Sequence, residues 1–364
     1  MKIIFHHPLP LNPNAASASG IRPVKMLEAF QELGCEVEII AGYSPERRRQ
    51  IARIKKNIKN GLNYDFMYAE SSTAPTTLTD PHHLPLHPLL DYFFFRFCKN
   101  NGIPIGLFYR DIYWLFEDYG KNLNPLKAIA AKVAYHFDLR VYKQTLSWLY
   151  LPSLKMGEYI PIINPCMFKA LPPGHVSPKL NNFISLQLQN RPLKLFYVGG
   201  ISSYYQLHKL FDAVQKQPKV ELTICTREAE WRAVMHEYPQ TSSNIKIIHL
   251  SGLAMQTELR NCDVAVLFVK PQEYREFAAP LKLYEYLGYQ KPILASEGTL
   301  AGDFVRHHGI GWTIPYDCDA VTRFFSELLT TPDLIESVHH NIQKTTPQHS
   351  WHARAEQVIK DLTQ

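Results

Sequence analysis

Residues 277–296 read FAAPLKLYEYLGYQKPILAS. Pro280 marks a helix start, because the residue before a proline is pushed out of helical geometry while proline itself fits the first turn. The helix stops at Gly288, and the apolar run KPILAS follows at once as a strand. With the strand DVAVLFVK (263–270) before it, the stretch belongs to an alternating strand–helix–strand chain, which requires a parallel sheet. In such sheets ligands bind beyond the carboxyl ends of the strands. Behind Pro280, the free backbone N–H groups that open the helix from Leu281 onward carry about half a positive charge and suit an anion. Lys282 adds a full charge. Glu285 is ill suited to phosphate, yet a carboxylate accepts both hydroxyls of a ribose. Read together, the four residues describe a nucleotide sugar, with its diphosphate at the helix start and its ribose on Glu285. The plainer alternative is an amphipathic helix with Lys282 and Glu285 in solvent.

Working outward, the alternation runs through both halves of the chain. MKIIFHH (1–7) reads as a buried strand, VKMLEAFQELG (24–34) as a helix ending in glycine, and CEVEIIAG (35–42) as the next strand. YDFMYAE (64–70) and IPIGLFYRD (103–111) are further strands around an aromatic helix, residues 126–149 look helical, and WLYLPS (148–153) is a strand into a turn. The pattern restarts after LPPGHVSPKLNN (171–182), whose proline, glycine and asparagine mark a linker. LKLFYVGG (193–200) is a strand into a Gly199–Gly200 turn, followed by VELTICT, IKIIHLSG and DVAVLFVK as strands between helices. The expected architecture is therefore α/β, with two Rossmann-like doubly wound domains facing a cleft. Their boundaries are expected at 1–170 and 183–346 around the linker, followed by a C-terminal helix (347–364) that the pattern alone assigns to neither domain.

Composition agrees with two ordinary cores: 364 residues, 46% hydrophobic and 20% charged. Six dispersed cysteines without a CxxC pair fit a reducing, cytoplasmic setting, and no export signal or run of about 18 apolar residues occurs. The histidine pairs lack metal-ligand spacing, so no metal is assigned. Net charge is +6 and uneven, with seven cations crowded into SPERRRQIARIKKNIKNG (44–61). Ile51, Ile54 and Ile58 define one face of this basic amphipathic helix. It reads either as a solvated surface helix or as a peripheral contact with anionic membrane through residues 46–59. Nucleic acid is not an expected partner.

The opening stretch resembles the donor-site helix of GT-B glycosyltransferases, particularly the retaining enzymes of family 4. Other segments agree in order: LFYVGG (195–200) with the strand and glycine turn opening the second domain, ALPPG (170–174) with the linker, LYLPSLKMGEYI (149–160) with the end of the first domain, and SWHARAEQVIKDL (350–362) with the terminal helix, which the resemblance implies packs back on the first domain. The likeness covers most of the chain. Departures exist as well: eight residues before Glu285, where the family often carries a glutamate, stands Phe277, with Glu276 beside it, and the arginine usual after the glycine turn is replaced. Arg227, at the end of VELTICT, is the substitute cation, with Lys270 and Arg275 as others; each equally reads as a surface ion-pair residue.

What the resemblance implies is transfer of a sugar from a nucleoside diphosphate sugar to a hydroxyl of a saccharide or lipid-linked saccharide, with retention, in surface polysaccharide assembly. No cofactor or metal is implied. In the first domain Ser19, Gly20 and Arg22 fill the place of a loop that meets donor phosphates or acceptor. Arg110 and Asp111 stand where relatives carry a histidine, and Asp111 is the candidate to take the acceptor hydroxyl's proton. A structural ion pair is the alternative reading of that dipeptide. Two rival functions share the donor site: a sugar-nucleotide epimerase or hydrolase, and a non-catalytic two-domain binder.

Overall fold

Two six-stranded parallel sheets organise the chain in its computed structural model, which describes residues 1–15, 17–116, 119–120, 124–176, 191–202, 205–239, 242–331 and 333–364. They lie in two compact units, one formed by Met1–Pro173 with Trp351–Gln364 and the other by Gly174–Ser350. From residue 177 onward the expected linker lies outside the described residues.

The first unit runs β1 (Lys2–His7), α1 (Ala18–Glu32), β2 (Glu36–Ala41), α2 (Ser44–Lys59), β3 (Phe66–Glu70), α3 (Leu90–Asn100), β4 (Ile105–Phe108), α4 (Pro125–Thr145), β5 (Trp148–Leu151) and β6 (Phe168–Ala170). Its strand order is β2-β1-β3-β4-β5-β6, so the winding reverses between β1 and β3. β1, β3 and β4 are buried along almost their whole length, which is why they read as continuous apolar runs. The last helix of the chain, α13 (Trp351–Thr363), packs on α1 and the sheet of this unit, burying Trp351, Ala355, Val358 and Leu362. Gly106 makes that approach feasible, since a Cβ there would fall 2.6 Å from the Tyr150 ring and 3.0 Å from Leu362.

The second unit runs β7 (Leu193–Val198), α5 (His208–Gln215), β8 (Val220–Cys225), α6 (Glu228–Val234), β9 (Ile245–Ile248), α7 (Gly252–Asn261), β10 (Val264–Leu267), α8 (Leu281–Gly288), β11 (Ile293–Ser296), α9 (Leu300–His308) and β12 (Gly311–Ile314). Three helices close it, α10 (Cys318–Thr330), α11 (Asp333–Ser337) and α12 (His339–Thr345). In order of pairing the sheet is β9-β8-β7-β10-β11-β12, the Rossmann arrangement, with its reversal between β7 and β10. Two apolar layers, one on each face, form the core: Leu195, Tyr197, Phe211 and Phe325 lie in one, Phe196, Leu283, Tyr284 and Tyr286 in the other.

Two differences from the sequence reading have physical causes. Strands β6 and β12 and helix α9 were not expected; the two strands have only three and four residues, half-buried throughout, and so carry no alternation to read. In α2, Arg47 is not a surface cation: it is 1% exposed and clamps Asp91 through Nε and Nη2 at 3.1 and 3.0 Å, while Nη1 donates to the carbonyls of Pro8 and Gly42. Burial alone would raise the Asp91 pKa, but Arg47 and His6 outweigh it and hold the carboxyl at about 2.

Candidate functional site

In the second unit the candidate residues gather at the carboxyl ends of β7, β8 and β10, beside the reversal of winding. The link is Tyr286. Its hydroxyl accepts the Val198 N–H at 2.9 Å, which fixes α8 across the end of β7, next to the Gly199–Gly200 turn. The turn is held from below, where the Tyr197 hydroxyl donates to the Gly200 carbonyl at 2.6 Å. A side chain at Gly199 would collide with that hydroxyl at 2.8 Å.

Pro280 has extended geometry (φ −72°, ψ 134°) immediately before α8, and no side chain caps the helix start. By contrast the first turn of α9 is capped, Thr299 Oγ1 accepting the Gly302 N–H at 3.0 Å. The amides of α8 thus begin at the sheet's carboxyl edge with no side chain serving as their cap. Lys282 Nζ meets Glu285 Oε2 at 2.6 Å, and both side chains are about three-quarters buried. Lys282 also lies near enough to the end of β8 to favour the Cys225 thiolate, although burial pushes that thiol up overall.

Arg227 stands just before α6 with an exposed side chain, and its guanidinium is paired with Glu230. Glu230 reaches back to the glycine turn, its Oε2 accepting the Ile201 N–H at 3.4 Å. Arg275 is 8% exposed and lies against the Tyr205 ring, 3.7 Å from its centroid.

In the first unit, the structure brings Arg22 and Arg110 together on a residue that sequence reasoning passed over, Glu70. Its Oε1 accepts from Arg22 Nε and its Oε2 from Arg110 Nη2, each at 3.2 Å. Glu70 is the last residue of β3, so the rule that singled out Arg110 at a strand end would have singled it out too. Two guanidiniums against one carboxylate leave one positive charge in excess. Nη1 and Nη2 of Arg22 are buried without a hydrogen-bond partner, the guanidinium stacking 3.4 Å from the centre of the Phe108 ring. Beside them, burial and then the charge of Arg110 lower the His7 pKa to about 3, so its imidazole is neutral.

Arg110 Nη1 reaches the Ala18 carbonyl at 3.4 Å, which joins the group to the first turn of α1. The loop expected at Ser19, Gly20 and Arg22 is helical, because α1 already begins at Ala18. Ser19 Oγ lies 2.9 Å from Ser17 Oγ. Asp111 follows Arg110, and its Oδ1 accepts the Tyr113 N–H at 2.8 Å, an Asx turn that presents the carboxylate at the end of β4. Among the described residues no group of three or more His, Cys, Asp or Glu is arranged to hold a metal ion.

No family model matches the chain, and no curated protein matches it in sequence. Solved structures do match over its full length. HepE of Anabaena, crystallised with UDP and glucose, is 14% identical with a TM-score of 0.62, the match covering 100% of this chain and 99% of that one. The same protein has also been crystallised with UDP-glucose. Sucrose-phosphate synthase of Thermosynechococcus elongatus is 13% identical with a TM-score of 0.66, over 99% and 98% of the two chains. WaaG, a glycosyltransferase involved in lipopolysaccharide biosynthesis, is 12% identical with a TM-score of 0.58 over 99% of each. At such identities the likeness establishes architecture, and the architecture of this chain is that of the GT-B glycosyltransferases.

Proposed function

We propose that this protein is a glycosyltransferase that moves a sugar from a nucleoside diphosphate sugar to a hydroxyl of a saccharide or lipid-linked saccharide. The observation that carries the reading is the start of α8, uncapped by any side chain, beside the Gly199–Gly200 turn at the reversal point of a Rossmann sheet. A pyrophosphate seated there would meet the amides of Leu281 and Lys282, the Lys282 ammonium and, by rotation away from Glu230, the Arg227 guanidinium. Glu285 would exchange its bond to Lys282 for the ribose hydroxyls. HepE, of the same architecture, was crystallised with UDP and with UDP-glucose, which makes a uridine donor the first to test.

As the bond from anomeric carbon to phosphate oxygen breaks, negative charge grows on the leaving diphosphate, and fixed dipoles and cations stabilise it without a metal. The acceptor oxygen bonds to the anomeric carbon and its proton passes to Asp111. Arg110, with Ser19 and Gly20 in the first turn of α1, would offer the acceptor, or the donor phosphates, a cation and polar groups, braced from beneath by Glu70 and the buried Arg22. Retention of configuration and a role in surface polysaccharide assembly, in the cytoplasm at the membrane's inner face, belong to the same reading. So does contact with anionic membrane through residues 46–59.

Calorimetric titration with UDP and UDP-glucose tests the site. The wild type binds, and Glu285→Ala loses at least about tenfold in affinity, the worth of one good pair of hydrogen bonds. Equal affinity in the two proteins removes Glu285 from the site. Incubation with labelled UDP-glucose and saccharide acceptors then separates transfer from isomerisation or mere binding.

A further inference from the structure

We propose that the α3–α4 face of the first unit docks on an anionic lipid bilayer, inserting an apolar stripe between basic side chains. In the first half of α4, Leu126, Ile129 and Val133 are 77, 60 and 63% exposed. Their spacing of three and four places them on one face of the helix, in line with Phe137. Phe137 touches Tyr92 of α3, with ring centres 6.5 Å apart, and next to Tyr92 the Phe93 side chain is 53% exposed, with Leu89 at 41% just before the helix. Scattered single apolar residues are ordinary on a surface; a continuous stripe of this kind is not.

The charges tell which phase covers it. Arg96 and Lys99 on α3 and Lys127, Lys132, Arg140 and Lys143 on α4 are exposed, whereas the two acids of these helices, Asp91 and Asp138, are buried. Every exposed charge on these two helices is therefore positive. By helical spacing, Lys132, Arg140 and Lys143 flank the stripe on one side, where long cationic side chains reach phosphate headgroups while the apolar side chains enter the acyl boundary. α2 extends the same surface, its Lys55 ammonium lying 5.2 Å from the centre of the Phe97 ring of α3. A second copy of the chain fits poorly, since symmetric pairing would set these cations against their own counterparts. Nucleic acid would leave the stripe without an apolar phase to enter. The docking claim stands apart from the donor site, because its test uses no substrate.

The test is flotation of the full chain with vesicles of phosphatidylcholine containing about one-third phosphatidylglycerol, against phosphatidylcholine alone. The protein floats with the anionic vesicles and at least about tenfold less with the neutral ones. Replacing Ile129→Glu and Val133→Glu together lowers anionic binding by about tenfold or more with an unchanged melting curve. Leu126→Trp shifts its emission to the blue on anionic vesicles only. Three results overturn the proposal: the double variant floating like wild type, an unshifted Leu126→Trp emission, or sedimentation of a lipid-free dimer that the double variant breaks.

Discussion

Asp111 and Asp138 illustrate how little a carboxylate's identity says before its surroundings are known. Asp111 is turned outward by an Asx turn that asparagine would preserve through its own carbonyl oxygen. Asp111→Asn is therefore expected to keep donor affinity while lowering turnover on the order of a hundredfold, read from kcat beside a UDP titration. Unchanged kcat would take Asp111 out of the chemistry. Asp138 is fully enclosed, and burial drives its pKa up to about 7 despite the Thr76 N–H donated to it at 2.8 Å. Because the folded value lies above the unfolded one, the native state holds the extra proton between about pH 4 and 7, and stability falls as pH rises through that window. His7 acts in the opposite sense: its lowered folded value makes stability fall as pH drops from about 6.5 toward 3. Asp138→Asn cannot ionise, so its melting temperature gains on wild type as pH is raised from 4 to 7, by on the order of 5 °C. A constant difference across that range contradicts the assignment. At this scale the sequence offered Arg110 and Glu70 alike as residues at strand ends, but not their pairing, since a partner forty residues away leaves no local mark.

Among the elements, α2 shows what periodicity conveys and what it omits. The spacing of Ile51 and Ile54 announces a helix with one buried face, and both are buried. Nothing in that spacing separates Arg47 from Arg48, because the carboxylate that receives Arg47 belongs to α3. The two arginines should behave differently in urea unfolding. Arg47→Met leaves the buried Asp91 with His6 as its remaining side-chain partner and should cost about 3–5 kcal/mol, whereas Arg48→Ala should stay within about 0.5 kcal/mol. Similar losses for both would mean that the buried pair contributes nothing. Central strands such as β1, β7 and β10 were legible because both faces are covered and their residues are almost all apolar. Half-exposed β12 carries no such signature. The α8 start was legible for another reason: proline fixes a boundary chemically, whatever packs around it.

For the whole molecule, alternation of strands and helices identified the two doubly wound sheets, but strand neighbours follow from long-range pairing that local patterns do not encode. The order β9-β8-β7-β10-β11-β12 is visible only in the fold, and it is what sets the Gly199–Gly200 turn beside α8. The last fourteen residues matter to the first unit out of proportion to their number. Trp351 lies 5.8 Å from the Arg22 guanidinium, the Trp148 Nε1–H donates to the Asp361 carbonyl at 2.9 Å, and Lys169 pairs with Asp361. A chain ending at Ser350 is expected to exchange the amides of β1, β3 and β4 at least about tenfold faster by hydrogen–deuterium exchange, with β7 and β8 unchanged. Equal protection of β1 in the two chains would show α13 to be dispensable.

That arrangement also sets an order of events at the ribosome. Residues 174–350 emerge in full before residue 351 leaves the exit tunnel, so the Rossmann unit can finish folding while the earlier-made half still lacks a wall. During that interval the apolar surfaces destined for Val358 and Leu362 are open to solvent and to chaperones, and the portion synthesised first is the portion completed last.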